Sequence, residues 1–113
     1  MLNTYEVRIS SVAYDDLNNH FHFLARVSEG AAERLKAAIL KDIRSLKEMP
    51  HRTPAYNRPY LPPEKYRYLL SAQRYRIVYQ INGDTVNVDY IEDCRQNNKT
   101  SRPGSGPESF DDE

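Results

Sequence analysis

The sequence has few of the residues that build disulfide frameworks, metal sites or membrane spans. Its 113 residues include one cysteine, Cys94, and no tryptophan. A single cysteine excludes an internal disulfide and a zinc site made of several cysteines. No apolar run approaches the roughly 18–20 residues that a membrane helix needs, and the first residues lack the basic and hydrophobic regions of a secretory signal. We therefore expect a soluble cytoplasmic protein in a reducing compartment, with no membrane partner.

Familiar catalytic and cofactor motifs are also missing. The chain has no glycine-rich phosphate loop, no Gly-x-Ser-x-Gly and no His-Glu-x-x-His. His20 and His22 are two positions apart on a predicted helix, so their side chains diverge and do not suit one metal ion. Cys94 follows Glu92 and Asp93, which should raise its thiol pKa and make it a poor nucleophile. We expect neither a metal ion nor a cofactor.

The length and composition fit one domain with a polar tail. Domains most often run about 100–150 residues, and 39% hydrophobic residues supply one modest core. Residues 1–96 contain the apolar spacings of strands and helices, and we assign them to the folded domain. Residues 97–113 are rich in Asn, Ser, Gly and Pro and end in three acidic residues, so we predict a disordered polar and acidic tail there.

The neutral net charge averages over unlike segments. Residues 51–76 hold six basic side chains against one acid, Glu64, and five tyrosines. Arginine beside tyrosine suits nucleic acid, because guanidinium groups bind phosphate and aromatic faces stack on unpaired bases. The alternative is a half-exposed sheet kept soluble by its arginines. The basic residues are Arg52, Arg58, Lys65, Arg67, Arg74 and Arg76.

The first half of the chain predicts a strand followed by two helices. Residues 5–10 alternate between apolar and polar side chains, as a half-buried strand does. Two segments with the apolar spacing of an amphipathic helix follow, one directly after this strand and one between Gly30 and Pro50. We place Asp15 and Asp16 on the outer face of the first helix. The apolar positions are Tyr14, Leu17, Phe21 and Leu24 in the first helix and Leu35, Ile39, Ile43 and Leu46 in the second.

The second half predicts three strands after a proline-rich loop. Five prolines between 50 and 63 predict an extended loop. Residues 66–71, 75–81 and 85–91 read as strands, and Asn82-Gly83 predicts a hairpin with positive φ at both of its central positions. The fold class is therefore α+β: an N-terminal strand, a helical hairpin and a three-strand antiparallel meander in a two-layer sandwich. We expect the sheet face opposite the helices to be partly open.

Arg67, Arg76 and Arg95 lie on three successive predicted strands or their ends, so the fold could bring them together. Clustered cations can stabilise the charge that develops on a phosphate during RNA cleavage. In the alternative, Arg76 and Arg95 form ordinary surface ion pairs with Asp89, Glu92 or Asp93.

The order and spacing of these segments resemble the RelE/ParE superfamily of bacterial toxins from type II toxin–antitoxin systems. The resemblance spans roughly residues 4–96 and includes the opening strand, the start of the first helix and the Leu46-x-x-x-Pro50 helix end. Its most specific part comprises Tyr66–Leu70, Arg74–Ile81, Val86–Ile91 and Arg95. The resemblance implies a helical hairpin on a curved sheet and a growth-inhibiting toxin that a cognate antitoxin protein silences.

Within that superfamily the resemblance leaves two kinds of target open. RelE-like members cut messenger RNA on the ribosome, and by position the resemblance points to Arg76, Arg67 and Arg95. In our hypothesis for such an enzyme, Arg76 and Arg95 hold the scissile phosphate, Arg67 supports them, and Tyr66 or Glu64 exchanges protons. ParE-like members inhibit DNA gyrase without cutting RNA. The C-terminal tyrosine or His-Tyr pair of the RNases has no counterpart at residues 96–98, which motivates the gyrase alternative. We expect a ribosome-dependent mRNA endoribonuclease first, then a gyrase inhibitor, then a catalytically inactive family member.

Overall fold

Two helices cover one face of a four-stranded sheet. This computed structural model describes residues 4–96. The predicted order of one strand, two helices and three strands is confirmed, and short 3₁₀ turns follow α2 and β4. The elements are β1 (Glu6–Ile9), α1 (Ser11–Ala25), α2 (Glu29–Ser45), β2 (Tyr66–Ser71), β3 (Tyr75–Asn82) and β4 (Thr85–Asp93), with 3₁₀ turns at Pro50–Arg52 and Cys94–Gln96.

The sheet is mixed, because the first strand lies beside the last. The spatial order is β1-β4-β3-β2. β2, β3 and β4 form the predicted antiparallel meander, whereas β1 pairs with β4 in parallel, with Glu6 beside Thr85 and Ile9 beside Val88. A right-handed crossover through the helices is the usual way to join parallel neighbours.

The hairpin between β3 and β4 is present, but its turn sits one residue later than predicted. Asn82 pairs with Thr85, so Gly83 and Asp84 form the connection. Among these residues Gly83 has a positive φ of 60°. The expectation of positive φ at Asn82 as well is wrong, since Asn82 still belongs to the strand.

Serine side chains begin both helices. Ser10 and Ser28 accept hydrogen bonds from the backbone N–H groups of Ala13 and Ala31 at 3.0 and 3.1 Å, which satisfies donors that a helix start leaves unpaired. The apolar stripe of α2 is confirmed. Its buried members pack against the sheet and are Leu35, Ile39, Ile43 and, at the helix end, Leu46.

Two residues of α1 differ from the prediction, Asp16 from the expected outer face and Tyr14 from the expected apolar face. Asp16 is buried and Tyr14 is 49% exposed. The reason is that β1 stops at Ile9 and leaves the edge of β4 unpaired beyond Val88. Side chains from the helix side fill this gap. Ser10 donates to the Asp89 carbonyl at 2.8 Å, Asp16 accepts from the Ile91 amide at 2.9 Å, and His20 Nε2 lies 3.1 Å from the Ile91 carbonyl oxygen.

The second face of the sheet is covered in part, and Leu70, which pairs with Arg76 on this face, remains 52% exposed, so the expectation of a partly open face is confirmed. The proline-rich loop folds back along β2, where the Tyr56 amide donates to the Tyr66 carbonyl at 2.8 Å. Tyr56 is 1% exposed. It packs in a second small core with Val78, Tyr90, Leu61, Tyr66 and Tyr68.

Candidate functional site

An ion pair on the face of the sheet away from the helices joins β3 to β4. Arg76 lies opposite Glu92 in the register, and its Nε donates to the Glu92 carboxylate at 3.2 Å. The Tyr56 hydroxyl contacts both oxygens of the same carboxylate at 2.7 and 2.8 Å. Arg58 approaches it at 4.0 Å and stacks over the Tyr56 ring at 4.2 Å. Glu92 therefore receives contacts from two guanidinium groups and one phenol.

Arg76 is largely enclosed in this arrangement. Its side chain is 15% exposed. Nη1 donates to the Cys94 sulfur at 3.2 Å, while Nη2 is buried without a hydrogen-bond partner within residues 4–96. Burial alone lowers the pKa of Arg76, but Glu92 and Cys94 raise it more, so the net direction is upward. The guanidinium stays charged and faces a carboxylate rather than open solvent.

A second carboxylate, Asp93, holds two further arginines at the end of β4. Arg74 Nη2 lies 3.3 Å and Arg95 Nε 3.6 Å from its oxygens, and the Arg95 backbone N–H donates to it at 2.9 Å. The Asp93 side chain is 4% exposed, whereas that of Arg95 is 59% exposed. Neighbouring residues of β4 thus each bridge two arginines.

We call Arg58 and Arg76, which contact Glu92 on the face of the sheet away from the helices, the arginine cluster. Arg74 and Arg95 contact Asp93 on the helix-covered side, because side chains alternate along β4. These four arginines surround the last residues of β4, where the Cys94 amide also donates to the Arg74 carbonyl at 2.7 Å. Two carboxylates, Glu92 and Asp93, contact four guanidinium groups. Each face of the sheet at the end of β4 therefore carries one carboxylate and two guanidinium groups.

Burial shifts the phenols and the thiol of this region toward their neutral forms. It is the largest cause of the raised pKa of Tyr56, to which the Glu92 carboxylate adds, and it also raises the pKa of Tyr90. Burial raises the pKa of the Cys94 thiol, Arg76 opposes this, and Glu92 and Asp93 add to it. The expected direction for Cys94 is confirmed, with burial as its main cause.

Arg67 does not join the cluster. It pairs with Tyr79, whereas Arg76 pairs with Leu70. Because side chains alternate along a strand, Arg67 lies on the helix-covered face and Arg76 on the opposite one. The Arg67 guanidinium donates to the carbonyls of His51, at 3.1 Å, and Thr53. It fixes the loop, and the expectation of three converging guanidinium groups is wrong.

The two residues that our RNase hypothesis assigns to proton exchange lie away from Arg76. Tyr66 pairs with Gln80, four positions along β2 from the partner of Arg76. This corresponds to about 13 Å at ~3.3 Å per residue. Burial raises the pKa of Tyr66 and Asp89 adds to the shift. Glu64 is exposed just before β2, and its backbone N–H donates to Asn57 Oδ1 at 3.1 Å. Arg76 and Arg95 also bind different carboxylates, Glu92 and Asp93, on opposite faces of the sheet.

The sequence also allows Arg76 and Arg95 to form ion pairs with acidic residues of β4 instead of a phosphate-binding site. The structure shows these ion pairs. The contribution of Tyr56 was missed. Tyr56 lies in an irregular loop, where no periodic pattern marks a residue as buried, and its partner Glu92 is 36 positions away.

Two other features of residues 4–96 bear on the site. No three His, Cys, Asp or Glu side chains in this range gather in a way that would hold a metal ion. Neither of the two main helices combines the length and apolar character required to cross a bilayer.

The fold of a helical hairpin on a mixed sheet is shared with a protein of known structure. A solved structure described as the chromosomal ParDE TA system from P. aeruginosa is similar over 80% of this chain and 97% of the matched chain, with a TM-score of 0.65 and 15% sequence identity. At that identity the likeness shows a shared fold.

The sequence itself places the chain in a family. A family model described as the ParE toxin of the type II toxin–antitoxin system parDE matches residues 7–98. The chain belongs to this family, which confirms the resemblance to a RelE/ParE superfamily toxin. No curated protein matches the sequence.

Proposed function

We propose that this protein is a growth-inhibiting toxin that acts on DNA gyrase without cutting RNA. The observation that carries the proposal is the ParE family match over residues 7–98. It favours the gyrase alternative over the ribosome-dependent mRNA endoribonuclease that the basic residues first suggested.

The surroundings of Arg76 support the same choice. An RNase needs a cationic group free to bind the scissile phosphate and an acid and a base close to it. Glu92 already occupies the Arg76 guanidinium at 3.2 Å and would repel a phosphate. The raised pKa of Tyr56 keeps its phenol protonated, and its hydroxyl already contacts Glu92. Within residues 4–96, Arg76 therefore has no free acid and base beside it that could exchange protons with an RNA substrate.

We further propose a cognate antitoxin as the partner of this chain. The structural neighbour is described as a ParDE toxin–antitoxin system, and the family description names the same kind of system. An antitoxin segment that folds on binding is the recognition mode we expect.

The test combines two readouts on the intact protein. Purified protein should block DNA supercoiling by gyrase in a dose-dependent manner. Induced expression in bacteria should stall growth while mapped transcript ends stay unchanged. Ile39→Asp is the matched control, because Ile39 is 0% exposed in the main core and a buried charge there should unfold the protein.

Each outcome decides between the candidates. Blocked supercoiling with intact transcripts supports the proposal. New transcript ends within codons, lost in an Arg76→Ala variant that still folds, would establish the RNase instead. A folded protein that leaves growth and supercoiling unchanged would be a catalytically inactive family member.

A further inference from the structure

We propose that the hairpin turn between β2 and β3, together with the exposed end of β2, is the surface through which this protein contacts its protein target. The inference rests on the proposed function, which makes DNA gyrase that target. The part of the target that binds is an extended protein segment with an acidic side chain. The turn residues are Ala72 and Gln73, and the exposed strand residue is Leu70.

The turn has a backbone conformation that its residues disfavour. The Ser71 carbonyl accepts a hydrogen bond from the Arg74 amide at 3.2 Å, and between them Ala72 and Gln73 have φ values of 52° and 66°. A hairpin turn with positive φ at both central positions favours Asn-Gly, because most side chains are strained there. The β3–β4 hairpin, by contrast, has Gly83 at its positive φ of 60°.

The other positive-φ residues receive support that this turn lacks. The Glu64 amide donates to Asn57 Oδ1 at 3.1 Å, and the Met49 carbonyl accepts from the Arg52 guanidinium at 3.2 Å. Both side chains of the β2–β3 turn are exposed, and the glutamine forms no side-chain hydrogen bond within residues 4–96. Backbone strain that no contact within the chain offsets is typical of a functional surface.

The fold holds both ends of the turn in place. On the β2 side, Ser71 is 1% exposed and its hydroxyl donates to Asp42 Oδ2 of α2 at 2.7 Å. On the β3 side, the Arg74 carbonyl accepts from the Cys94 amide at 2.7 Å. Because the turn is anchored at both ends, it is preorganised and loses little conformational entropy when a partner binds it.

The strand beside the turn offers backbone groups for pairing. The proline-rich loop follows the outer edge of β2 as far as Tyr68, whose amide donates to the Pro54 carbonyl at 3.3 Å. Backbone groups alternate in direction along a strand, so those of Leu70 point to the same edge. They have no backbone partner there within residues 4–96, and the Leu70 side chain is 52% exposed. An extended segment can pair with this edge and cover the leucine.

The charge next to the turn favours an acidic partner. Arg74 and Arg95 share one carboxylate, that of Asp93, so one of the two guanidinium charges has no carboxylate of its own. Their side chains are 30% and 59% exposed. Arginine binds carboxylates in a strong bidentate geometry. The segment that pairs with Leu70 should therefore present an acidic side chain on the side of these arginines.

The first test removes the strain and measures inhibition in the same variant. A72N/Q73G supplies the residues that the turn conformation favours, so we expect the melting temperature to rise by about 5 °C. The protein concentration that halves DNA supercoiling by purified gyrase should rise about tenfold, because the contacting side chains are lost. The control is Gly30→Ala in α2, which should also stabilise the protein while inhibition changes less than about twofold.

The second test places a negative charge on the open edge. Leu70→Asp should weaken inhibition about tenfold, because it removes the apolar contact and repels an acidic partner. The control is Val27→Asp, which adds the same charge at a residue between the helices that is 82% exposed. It should change inhibition less than about twofold. Both residues are exposed, so both variants should fold.

The results separate this proposal from the proposed function. If the wild-type protein blocks supercoiling and A72N/Q73G and Leu70→Asp block it equally well, the turn is not the contact surface. Equal weakening by the two controls would assign the effect to stability or charge and would also overturn the proposal. A melting temperature that does not rise in A72N/Q73G would show that the turn is not strained.

If the wild-type protein leaves supercoiling unchanged, the proposed function fails and growth inhibition at equal protein levels becomes the readout. Loss of growth inhibition in A72N/Q73G and Leu70→Asp, but not in the controls, would support the turn as the contact surface for another protein target. Retained inhibition in both would overturn it. A wild-type protein that does not stall growth either would overturn both proposals.

Discussion

Asp16 of α1 accepts a hydrogen bond at 2.9 Å from the backbone amide of Ile91 in β4. A helix side chain thereby takes the place that a longer β1 would have filled. The geometry is specific, because Asp15, its neighbour in sequence, is exposed while Asp16 is 8% exposed. The contact ties the helix layer to the sheet at the strand that carries Glu92 and Asp93.

Replacing Asp16 should therefore destabilise the fold far more than replacing Asp15. In Asp16→Ala the buried Ile91 amide loses its acceptor, and we expect the free energy of unfolding to fall by about 2–3 kcal/mol. Asp15→Ala should change it by less than about 0.5 kcal/mol. Chemical denaturation measures both, and amide hydrogen exchange at Ile91 should speed up in the first variant. Equal effects of the two substitutions would contradict the assigned role of Asp16.

The ion pair on the second face should be worth more than a surface pair. Glu92→Gln leaves the enclosed Arg76 without a counter-charge, and we expect a loss of about 2–4 kcal/mol in the free energy of unfolding. The control is Glu6→Gln, which removes an ion pair with Arg8 whose side chains are 61% and 64% exposed. That change should cost less than about 0.5 kcal/mol. A small effect at Glu92 would show that Arg76 finds water or another acceptor.

Stability should decline at alkaline pH because buried phenols resist ionisation. Burial is the main cause that raises the tyrosine pKa values in question. The unfolded chain loses these protons near pH 10, while the folded protein holds them to higher pH. Above about pH 10 the unfolded state binds fewer protons, so the free energy of unfolding decreases as pH rises. The tyrosines are Tyr56, Tyr66, Tyr75, Tyr79 and Tyr90.

Near-ultraviolet absorbance of phenolate, followed together with circular dichroism, checks this prediction. We expect part of the absorbance increase to coincide with unfolding. Tyr56→Phe should reduce the part of the absorbance increase that coincides with unfolding. Complete ionisation of all nine tyrosines with the circular dichroism unchanged would contradict it.

Two glycine substitutions should have opposite signs. Gly83 has a φ of 60° in the β3–β4 turn, and alanine is strained there, so Gly83→Ala should destabilise the protein by about 1 kcal/mol. Gly30 lies in the first turn of α2, where an added Cβ would meet Arg34 Nη1 at 3.4 Å, an ordinary contact. Gly30→Ala should stabilise it by about 0.5 kcal/mol. Thermal unfolding of both variants tests the contrast, and an equal shift would show that backbone conformation is not the cause.

The regular elements were predictable because their signals are local. The α2 stripe of Leu35, Ile39 and Ile43 follows the helical period, and the alternation of residues 75–81 follows the strand period. Neither depends on distant parts of the chain. The hairpin was found for the same reason, although the strand continued through Asn82 and moved the turn to Gly83 and Asp84.

The site was less predictable because it depends on contacts between distant residues. Whether Arg67 faces the same side as Arg76 is set by the β2–β3 register, and no single strand contains that information. The burial of Asp16 depends on how early β1 stops and on a partner, Ile91, that lies 75 positions from Asp16. Tyr56 is buried by a loop whose path over the sheet has no periodic signature. The pairing of Arg76 with an acidic residue of β4 could be predicted, because Arg76 and Glu92 occupy positions of neighbouring strands that point to the same face of the sheet.

The parallel pairing of β1 with Thr85–Val88 has a consequence for protein synthesis. The ribosome makes the N-terminal strand first, but the partner that holds it arrives some 80 residues later, and such distant contacts form late. A chain interrupted anywhere before β4 would lack the strand that pairs with β1, contacts α1 and carries Glu92 and Asp93. Prematurely terminated translation products should therefore be unfolded and harmless to the cell that makes them.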